Sequence, residues 1–387
     1  MSRREPDGRI RVLCIFGTRP EAIKMAPLCL ALGADPEHFD YRIAVSAQHR
    51  DLLDGVLRDF ALVPAYDLNV MRAEQDLYHV SVETLGGLRD VLADFSPHWV
   101  LVQGDTTTTF VGALAAFYKR IAVGHVEAGL RTHQKYSPYP EEINRRLTSC
   151  LADLHFAPTP RARDNLLAEG VNDADIVVTG NTGIDALFWI VANRPSPLQQ
   201  MLPPAAWQAT QGRFILLTTH RRESFGEPLK RTLDAVGVIA QRFPEAAVVF
   251  PVHPNPNVRR EAAQRLSGRT NVHLIEPVDY SGFCHLMSRA ELILTDSGGI
   301  QEEAPSLRKP VLVLRDTTER PEGVDAGLAR LVGTNVDLIV EEATRLLTDR
   351  DYYEAMTRNP NPYGDGHAAP RILGAIRERV SAKASPE

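Results

Sequence analysis

Leu292-Ile293-Leu294-Thr295-Asp296-Ser297-Gly298-Gly299-Ile300-Gln301-Glu302-Glu303 reads as a short apolar strand, a turn with two glycines, and the opening of a helix. Four consecutive residues with no polar alternation suit a strand covered on both faces, which is the usual state of a parallel strand. The same pattern recurs in both directions along the chain. Upstream, the runs Arg11–Phe16, Tyr41–Ser46, Trp99–Gln103, Ile121–Val126, His155–Ala157 and Ile176–Thr179 alternate with longer helical patterns. Beyond a segment rich in Pro, Gln and Ala, Arg194 to Gly212, the alternation restarts at Phe214–Thr218, Ala247–Val252 and Val272–Ile275, and it passes through Leu292–Thr295 to Val311–Leu314 and Arg330–Val332. Strand and helix in strict alternation define parallel sheets with helices on both faces. A length of 387 residues exceeds one core, since a domain takes roughly 100–200 residues. Two doubly wound domains are therefore expected, residues 1–181 and 182–369. Helical patterns at Val336–Thr348, Asp351–Thr357 and Pro370–Val380 close the chain, the last of them (370–387) returning to the first domain.

Composition excludes several classes. Hydrophobic residues make up 44% and charged residues 24% of the chain, ordinary for a globular protein and unlike a disordered one. The formal net charge of -6 provides no basic field for nucleic acid or an anionic membrane. Cys14, Cys29, Cys150 and Cys284 are scattered and form no Cys-x-x-Cys pair, as expected of reduced thiols in the cytoplasm. The start, Met1 to Gly8, is a charged arm, and the apolar run Val12–Phe16 behind it is too short for a signal-peptide core or a membrane span.

Open parallel sheets bind ligands at the carboxyl ends of their strands, beside a topological switch point. Following each expected strand outward gives Gly17-Thr18-Arg19, Gln48-His49-Arg50, Gly104-Asp105-Thr106 and Glu127 in the first half. The second half gives Thr219-His220-Arg221-Arg222, His253-Pro254-Asn255 and Asp296-Ser297-Gly298-Gly299. If the two edges face each other, the cleft between them is the site. The turn at Ser297 to Gly299 suits a phosphate, because glycine lets the backbone approach and the first helical N–H groups favour an anion. Glu303, one turn further on, suits the two hydroxyls of a ribose. The competing reading is a Ser297 N-cap with acids complementing the helix dipole. Arg19 and Lys24 reach for a diphosphate or lie as solvated cations. No Gly-x-Gly-x-x-Gly follows the first strand and no Walker A loop occurs, which argues against bound NAD and ATP hydrolysis. The pairs Asp173/Asp175 and Asp349/Asp351 lie away from the carboxyl ends and make poor magnesium sites.

Among the acids, Asp105 suits either chemistry or the cap of a helix starting at Thr106. Glu141 follows Pro140 in a first helical turn with Arg145 four residues on, an arrangement open to an ordinary surface ion pair. Glu127 stands directly beyond an apolar strand with no such structural duty. His220, flanked by Arg221 and Arg222, suits an anionic leaving group better than a metal, because no second ligand has the right spacing.

Together these blocks resemble the non-hydrolysing UDP-N-acetylglucosamine 2-epimerases: FGTRPEAIKMAPL from Phe16, AQHR from Ala47, GDTTTT from Gly104, GHVEAGLRT from Gly124, PEEINR from Pro140, GNTGIDAL from Gly180, HRRESFG from His220, PVHPNPNVR from Pro251, DSGGIQEEAPSL from Asp296 and RDTTERPE from Arg315. The resemblance spans almost the whole chain in family order. It implies two Rossmann-like domains of the glycosyltransferase B type, a homodimer, no redox cofactor, no metal, and interconversion of UDP-GlcNAc and UDP-ManNAc for surface polysaccharide. By motif, Asp105, Glu127 and Glu141 are its acid–base residues, Arg145 their positioning partner, and His220 an aid to UDP departure and return. Arg19, Lys24, Phe283, Ser297, Gly298, Gly299, Glu303 and Arg320 hold UDP, with Phe283 near the uracil. Gln48 and His49 resemble part of a site where a second UDP-GlcNAc acts as activator. The stretches Met71–Gln75 and Thr132–Tyr139 depart from the family pattern. Alternatives are a 2-epimerase of a modified sugar such as UDP-2,3-diacetamido-glucuronic acid, a hydrolysing epimerase, a glycosyltransferase of the same fold, and a nucleotide-sugar sensor.

Overall fold

Apolar runs too short for helices become strands covered on both faces, and they assemble into two separate sheets. The computed structural model describes residues 8–46, 50–72, 76–219, 221 and 225–382. The strands are β1 (Ile10–Phe16), β2 (Phe39–Val45), β3 (Tyr66–Asp67), β4 (Trp99–Gln103), β5 (Ala122–Val126), β6 (Leu154–Ala157) and β7 (Ile176–Val178). They continue as β8 (Phe214–Thr218), β9 (Ala247–Pro251), β10 (Val272–Ile275), β11 (Leu292–Thr295), β12 (Val311–Val313) and β13 (Ala329–Leu331). Sheet order is β3-β2-β1-β4-β5-β6-β7 in one and β10-β9-β8-β11-β12-β13 in the other. All pairings are parallel. Every strand expected from the sequence is present within two residues. The unexpected one, β3, is a two-residue edge strand too short to leave a periodic signature.

The chain divides into two compact units, one running to Phe188 and resuming at Gly364, the other spanning Trp189–Tyr363. Residue 181, the expected boundary, immediately precedes the helix Thr182–Asn193, whose unbroken backbone passes from one unit into the other. The segment 194–212, rich in Pro, Gln and Ala, holds two short helices, Leu198–Met201 and Pro204–Ala209. The last helix, Ala368–Ala382, packs on the helix Arg19–Gly33 of the first unit. Asp185 accepts hydrogen bonds from its Ala368 and Ala369 amides at 3.2 and 2.9 Å, supplying partners that a helix start otherwise lacks.

Each core follows from helical spacing against the sheet. In the second unit, Ile339, Val340, Ala343, Leu346 and Leu347 form one stripe of the helix Val336–Thr348. That stripe packs with Leu233, Val236 and Ile239 over Ile215, Leu217, Leu292 and Leu294. In the first, Leu88, Val91, Leu92 and Phe95 cover Leu13, Ile15, Val100 and Val102. Burying each such side chain stabilises the fold by about 1.5–3 kcal/mol. Strand order reverses between β1 and β4 and between β8 and β11. The loops leaving those four strands therefore occupy the switch points, where an open α/β sheet accepts ligands. No described helix is long and apolar enough to cross a membrane.

Candidate active site

In the first unit, Gly17 follows β1 so closely against its neighbours that an added Cβ would lie 2.0 Å from Ser46 Oγ and 2.7 Å from Thr108 Oγ1. Only glycine fits there. Thr18 then caps the helix Arg19–Gly33, and Glu21, fully buried, reaches back to the Gly17 and Thr18 amides at 3.2 and 2.8 Å. Its other oxygen accepts from the hydroxyls of Thr106 (2.8 Å) and Thr109 (3.1 Å). One carboxylate thus ties the loop after β1 to the loop after β4. Burial pushes Glu21 above the usual carboxylate range against the pull of these donors. Arg19, half-buried, and Lys24 ride on this helix.

Glu127 follows β5 with a φ of 64°, a left-handed conformation that costs a non-glycine residue about 1–3 kcal/mol and clusters at functional sites. Its carboxylate accepts hydrogen bonds from Lys24 Nζ and Gln103 Nε2. Lys24 is therefore paired with a carboxylate whose side chain is 8% exposed, and the reading as a solvated cation fails for it. Gln103 had no motif to single it out; being the last residue of β4 was its one signal.

Asp105 is not a helix cap. Thr106 takes that duty by accepting from the Thr109 amide at 3.1 Å. Asp105 Oδ2 instead receives Arg145 Nε at 2.9 Å and Nη2 at 2.7 Å, and its carbonyl accepts from Asn144 Nδ2 at 2.9 Å. Arg145 Nη1 also bonds Glu142 at 3.1 Å. Its partners are thus Asp105 and Glu142, not Glu141 four residues before it, because position 142 faces inward on the helix Glu141–Leu151. Glu142 further accepts from the Thr132 and His133 amides at 3.0 Å each. Burial pushes Glu142 up, but those amides, the Thr132 hydroxyl and Arg145 outweigh it and hold it below the usual range. Glu141 Oε2 is buried and has no hydrogen-bond partner among the described residues, and a role in chemistry is one explanation of such a group. His125 is fully buried, donates from Nε2 to the Gly104 carbonyl at 2.7 Å, and is pushed by burial down to about 3. It holds the turn before Asp105 as a neutral ring. A Cβ on Gly104 would lie 3.7 Å from Glu127 Oε2, so the Asp105 turn and the Glu127 carboxylate are neighbours.

In the second unit, Asp296 is fully buried after β11 and accepts from Thr219 Oγ1 and the Arg221 amide, both at 3.1 Å. It joins the loops after β8 and β11 much as Glu21 joins their counterparts. Ser297 stands at the N-cap of the short helix Gly298–Glu303, yet its side chain makes no capping hydrogen bond. A Cβ on Gly298 would lie 3.7 Å from Arg221 Nη2 and 4.0 Å from Arg320 Cζ, while one on Gly299 would meet nothing within 4 Å. Two guanidinium groups therefore flank the glycine turn. Arg320 pairs with buried Glu302, and Arg221 lies 3.5 Å from Glu319. The Arg315 hydrogen bond is the main cause holding Glu319 at about 2. Glu303 is half-buried at the helix end, and Phe283 is half-buried on the helix Tyr280–Arg289. His220, Gln48 and His49 lie outside the described residues. Glu21, Gln103, His125, Glu142 and Arg221 join the expected set.

Two parallel-sheet units with charged groups massed at the carboxyl edges define the class of glycosyltransferase-B-like α/β proteins. A crystal structure described as the glycotransferase of kitacinnamycin superimposes with a TM-score of 0.63 over 96% of this chain and 98% of that one, at 12% identity, a likeness of fold alone. The family model for UDP-N-acetylglucosamine 2-epimerase matches residues 31–377. The UDP-N-acetylglucosamine 2-epimerase of Yersinia pestis is 56% identical over 371 residues, covering 95% of this chain and 98% of that protein. The crystal structure of UDP-GlcNAc 2-epimerase from Neisseria meningitidis bound to UDP-GlcNAc shares 48% identity with a TM-score of 0.82, over 95% of this chain and all of that one (100%). The chain belongs to the UDP-N-acetylglucosamine 2-epimerase family.

Proposed function

We propose that this protein interconverts UDP-GlcNAc and UDP-ManNAc by eliminating UDP to give 2-acetamidoglucal and adding it back after C2 has been reprotonated on the opposite face. The C2 proton has no adjacent carbonyl, so its removal becomes feasible only as the anomeric diphosphate departs. That route needs acid–base groups for both faces of C2 and cations for the leaving group. The observation that supports it most is the trio of carboxylates at one sheet edge: Glu127, left-handed in its backbone with its carboxylate bonded by Lys24 and Gln103, Asp105 clasped by Arg145, and Glu141 with a buried oxygen that has no partner among the described residues. Asp105, Glu127 and Glu141 are the acid–base set, Arg145 positions Asp105, and His220 assists UDP. Ser297, Gly298, Gly299, Glu303, Arg320 and Phe283, with Arg19 and Lys24, hold the nucleotide. No redox cofactor or metal is required by this chemistry. Family membership further supports a cytoplasmic homodimer that supplies ManNAc units for surface polysaccharide, with Gln48 and His49 serving a second, activating UDP-GlcNAc.

The test is proton NMR of UDP-GlcNAc with the protein in deuterated water. Deuterium at C2 of both epimers, with UDP-ManNAc appearing, is the expected result. Substrate that keeps its C2 proton would overturn the reading and direct attention to a modified sugar or an acceptor-dependent transfer.

A further inference from the structure

The second unit holds a cavity of about 440 Å³ at the edge of its sheet opposite the glycine turn. Its floor comes from residues just before three neighbouring strands: Arg213 before β8, Glu291 before β11 and Lys309 before β12. The proposed nucleotide-holding residues Ser297 to Gly299 follow the opposite end of β11, so the two places are separated by the length of a strand.

Charges here are unequally matched. Arg213 takes both oxygens of Glu291 at 2.8 Å and the Leu347 carbonyl at 3.0 Å. Arg350 is held by Glu354 at 2.6 Å, and Asp349 accepts the Tyr352 amide at 3.0 Å. Arg289 lies over the Trp207 ring at 5.2 Å and has no carboxylate partner among the described residues. Lys309 is half-buried, and among the described residues its ammonium has neither a hydrogen bond nor an ion pair. The helices Tyr280–Arg289 and Val336–Thr348 end at this cavity, and their carbonyl ends explain why cations gather. They do not explain an amine set half out of water without a partner. Burial pushes Lys309 below the usual lysine range, against the pull of Glu291. A lysine desolvated by burial is an activated nucleophile, and arginine forks are the preferred holders of a phosphate.

We propose that Lys309 is a site of covalent acylation by acyl phosphates, with Arg289 and its cationic neighbours in the cavity holding the donor's phosphate. Lys309 Nζ first gives one proton to water. The neutral amine then attacks the acyl carbon, the C–N bond forms, the C–O bond to phosphate breaks, and the second nitrogen proton leaves with inorganic phosphate. The product is an amide that no longer carries charge, which relieves the cost of a half-buried ammonium. This inference is independent of the epimerase reading.

The chain has six lysines, and Lys119, exposed on the first unit, is the internal reference. The intact protein is incubated with acetyl phosphate and the acetylation rate of each lysine is followed by peptide mass spectrometry. Lys309 should react faster than Lys119 by on the order of fivefold or more. Excess inorganic phosphate should slow Lys309 alone, and Arg289→Gln should reduce its rate without changing that of Lys119 or the melting temperature. Reaction of Lys309 at or below the rate of Lys119 would overturn the proposal. An equal Lys309 preference with neutral p-nitrophenyl acetate would overturn the part given to the arginines.

Discussion

The two units share one architecture and use it for different chemistry. At the switch point of the first, a buried carboxylate, Glu21, binds the loops after β1 and β4 together, and the acids of that edge are Asp105, Glu127 and Glu141. At the switch point of the second, Asp296 performs the same joining, but what surrounds it is a glycine turn flanked by Arg221 and Arg320. The first edge is organised so that carboxylates keep unsatisfied or strained geometry, as in the buried oxygen of Glu141 and the positive φ of Glu127. The second keeps its cations compensated by Glu302 and Glu319. Acid–base work needs groups whose protonation can change, whereas holding a diphosphate needs fixed positive charge and open backbone. A doubly wound sheet specifies where a ligand meets the protein, and the loop residues decide whether that meeting is chemistry or grip.

The strongest way to break this contrast is Glu141→Gln. If the unpartnered oxygen exists for proton transfer, the amide should lower kcat for C2 exchange by about 10²–10⁴. The melting temperature should hold or rise, because no ion pair is lost. KM should change little. A variant that unfolds more readily while retaining its exchange rate would make Glu141 a structural residue and leave the strained Glu127 as the mark of the first edge.

How far the contrast was legible depends on side chains at the ends of strands. Continuous apolar runs such as Leu292–Thr295 and Trp99–Gln103 announce buried parallel strands, and whatever follows them must lie at the ligand edge. Glu127, Asp105 and the glycines at 298 and 299 are visible for that reason. Pairings within helices are not, because adjacent acids look alike in sequence. Glu141 and Glu142 differ only in the helix face they occupy, and it is Glu142 that turns inward to Arg145, Thr132 and His133. Glu21 likewise resembles a first-turn acid, and its contacts to Thr106 and Thr109 join positions more than eighty residues apart. Two-residue β3 and the short helices within 194–212 leave no period to read.

A smaller effect should separate the units by pH. His125 and His155 are opposite each other on β5 and β6, and burial pushes them to about 3 and about 4. As pH falls below the ordinary histidine value near 6.5, the unfolded chain gains protons that the folded first unit refuses. Stability should then fall by about 1.4 kcal/mol per pH unit for each such ring, while nothing is lost above that value. In the second unit burial also lowers His273 and His285, but His273 keeps partial exposure on β10 and His285 lies on a helix, so neither ring stands inside β8 or β11. Hydrogen exchange between pH 7.5 and 5.5 should show amides of β5 and β6 losing protection before those of β8 and β11. Equal losses in both sheets would remove this distinction.

The smallest expected effect compares two caps at equivalent places. Thr106 begins the helix after β4 and its hydroxyl accepts from the Thr109 amide at 3.1 Å, whereas Ser297 begins the helix after β11 without making that bond. Removing a working cap costs about 0.5–2 kcal/mol, and Thr106→Ala also takes from buried Glu21 the hydroxyl it accepts from, so this variant should lower the melting temperature measurably. Ser297→Ala should leave it unchanged. If the Ser297 hydroxyl is reserved for the nucleotide, its loss should appear as a rise in the dissociation constant of UDP of about two- to tenfold, the worth of one hydrogen bond. Calorimetric titration of UDP reads that change directly. Equal UDP affinity together with a lowered melting point would assign Ser297 to the helix, and the second edge would then grip the diphosphate through its glycine backbone and arginines alone.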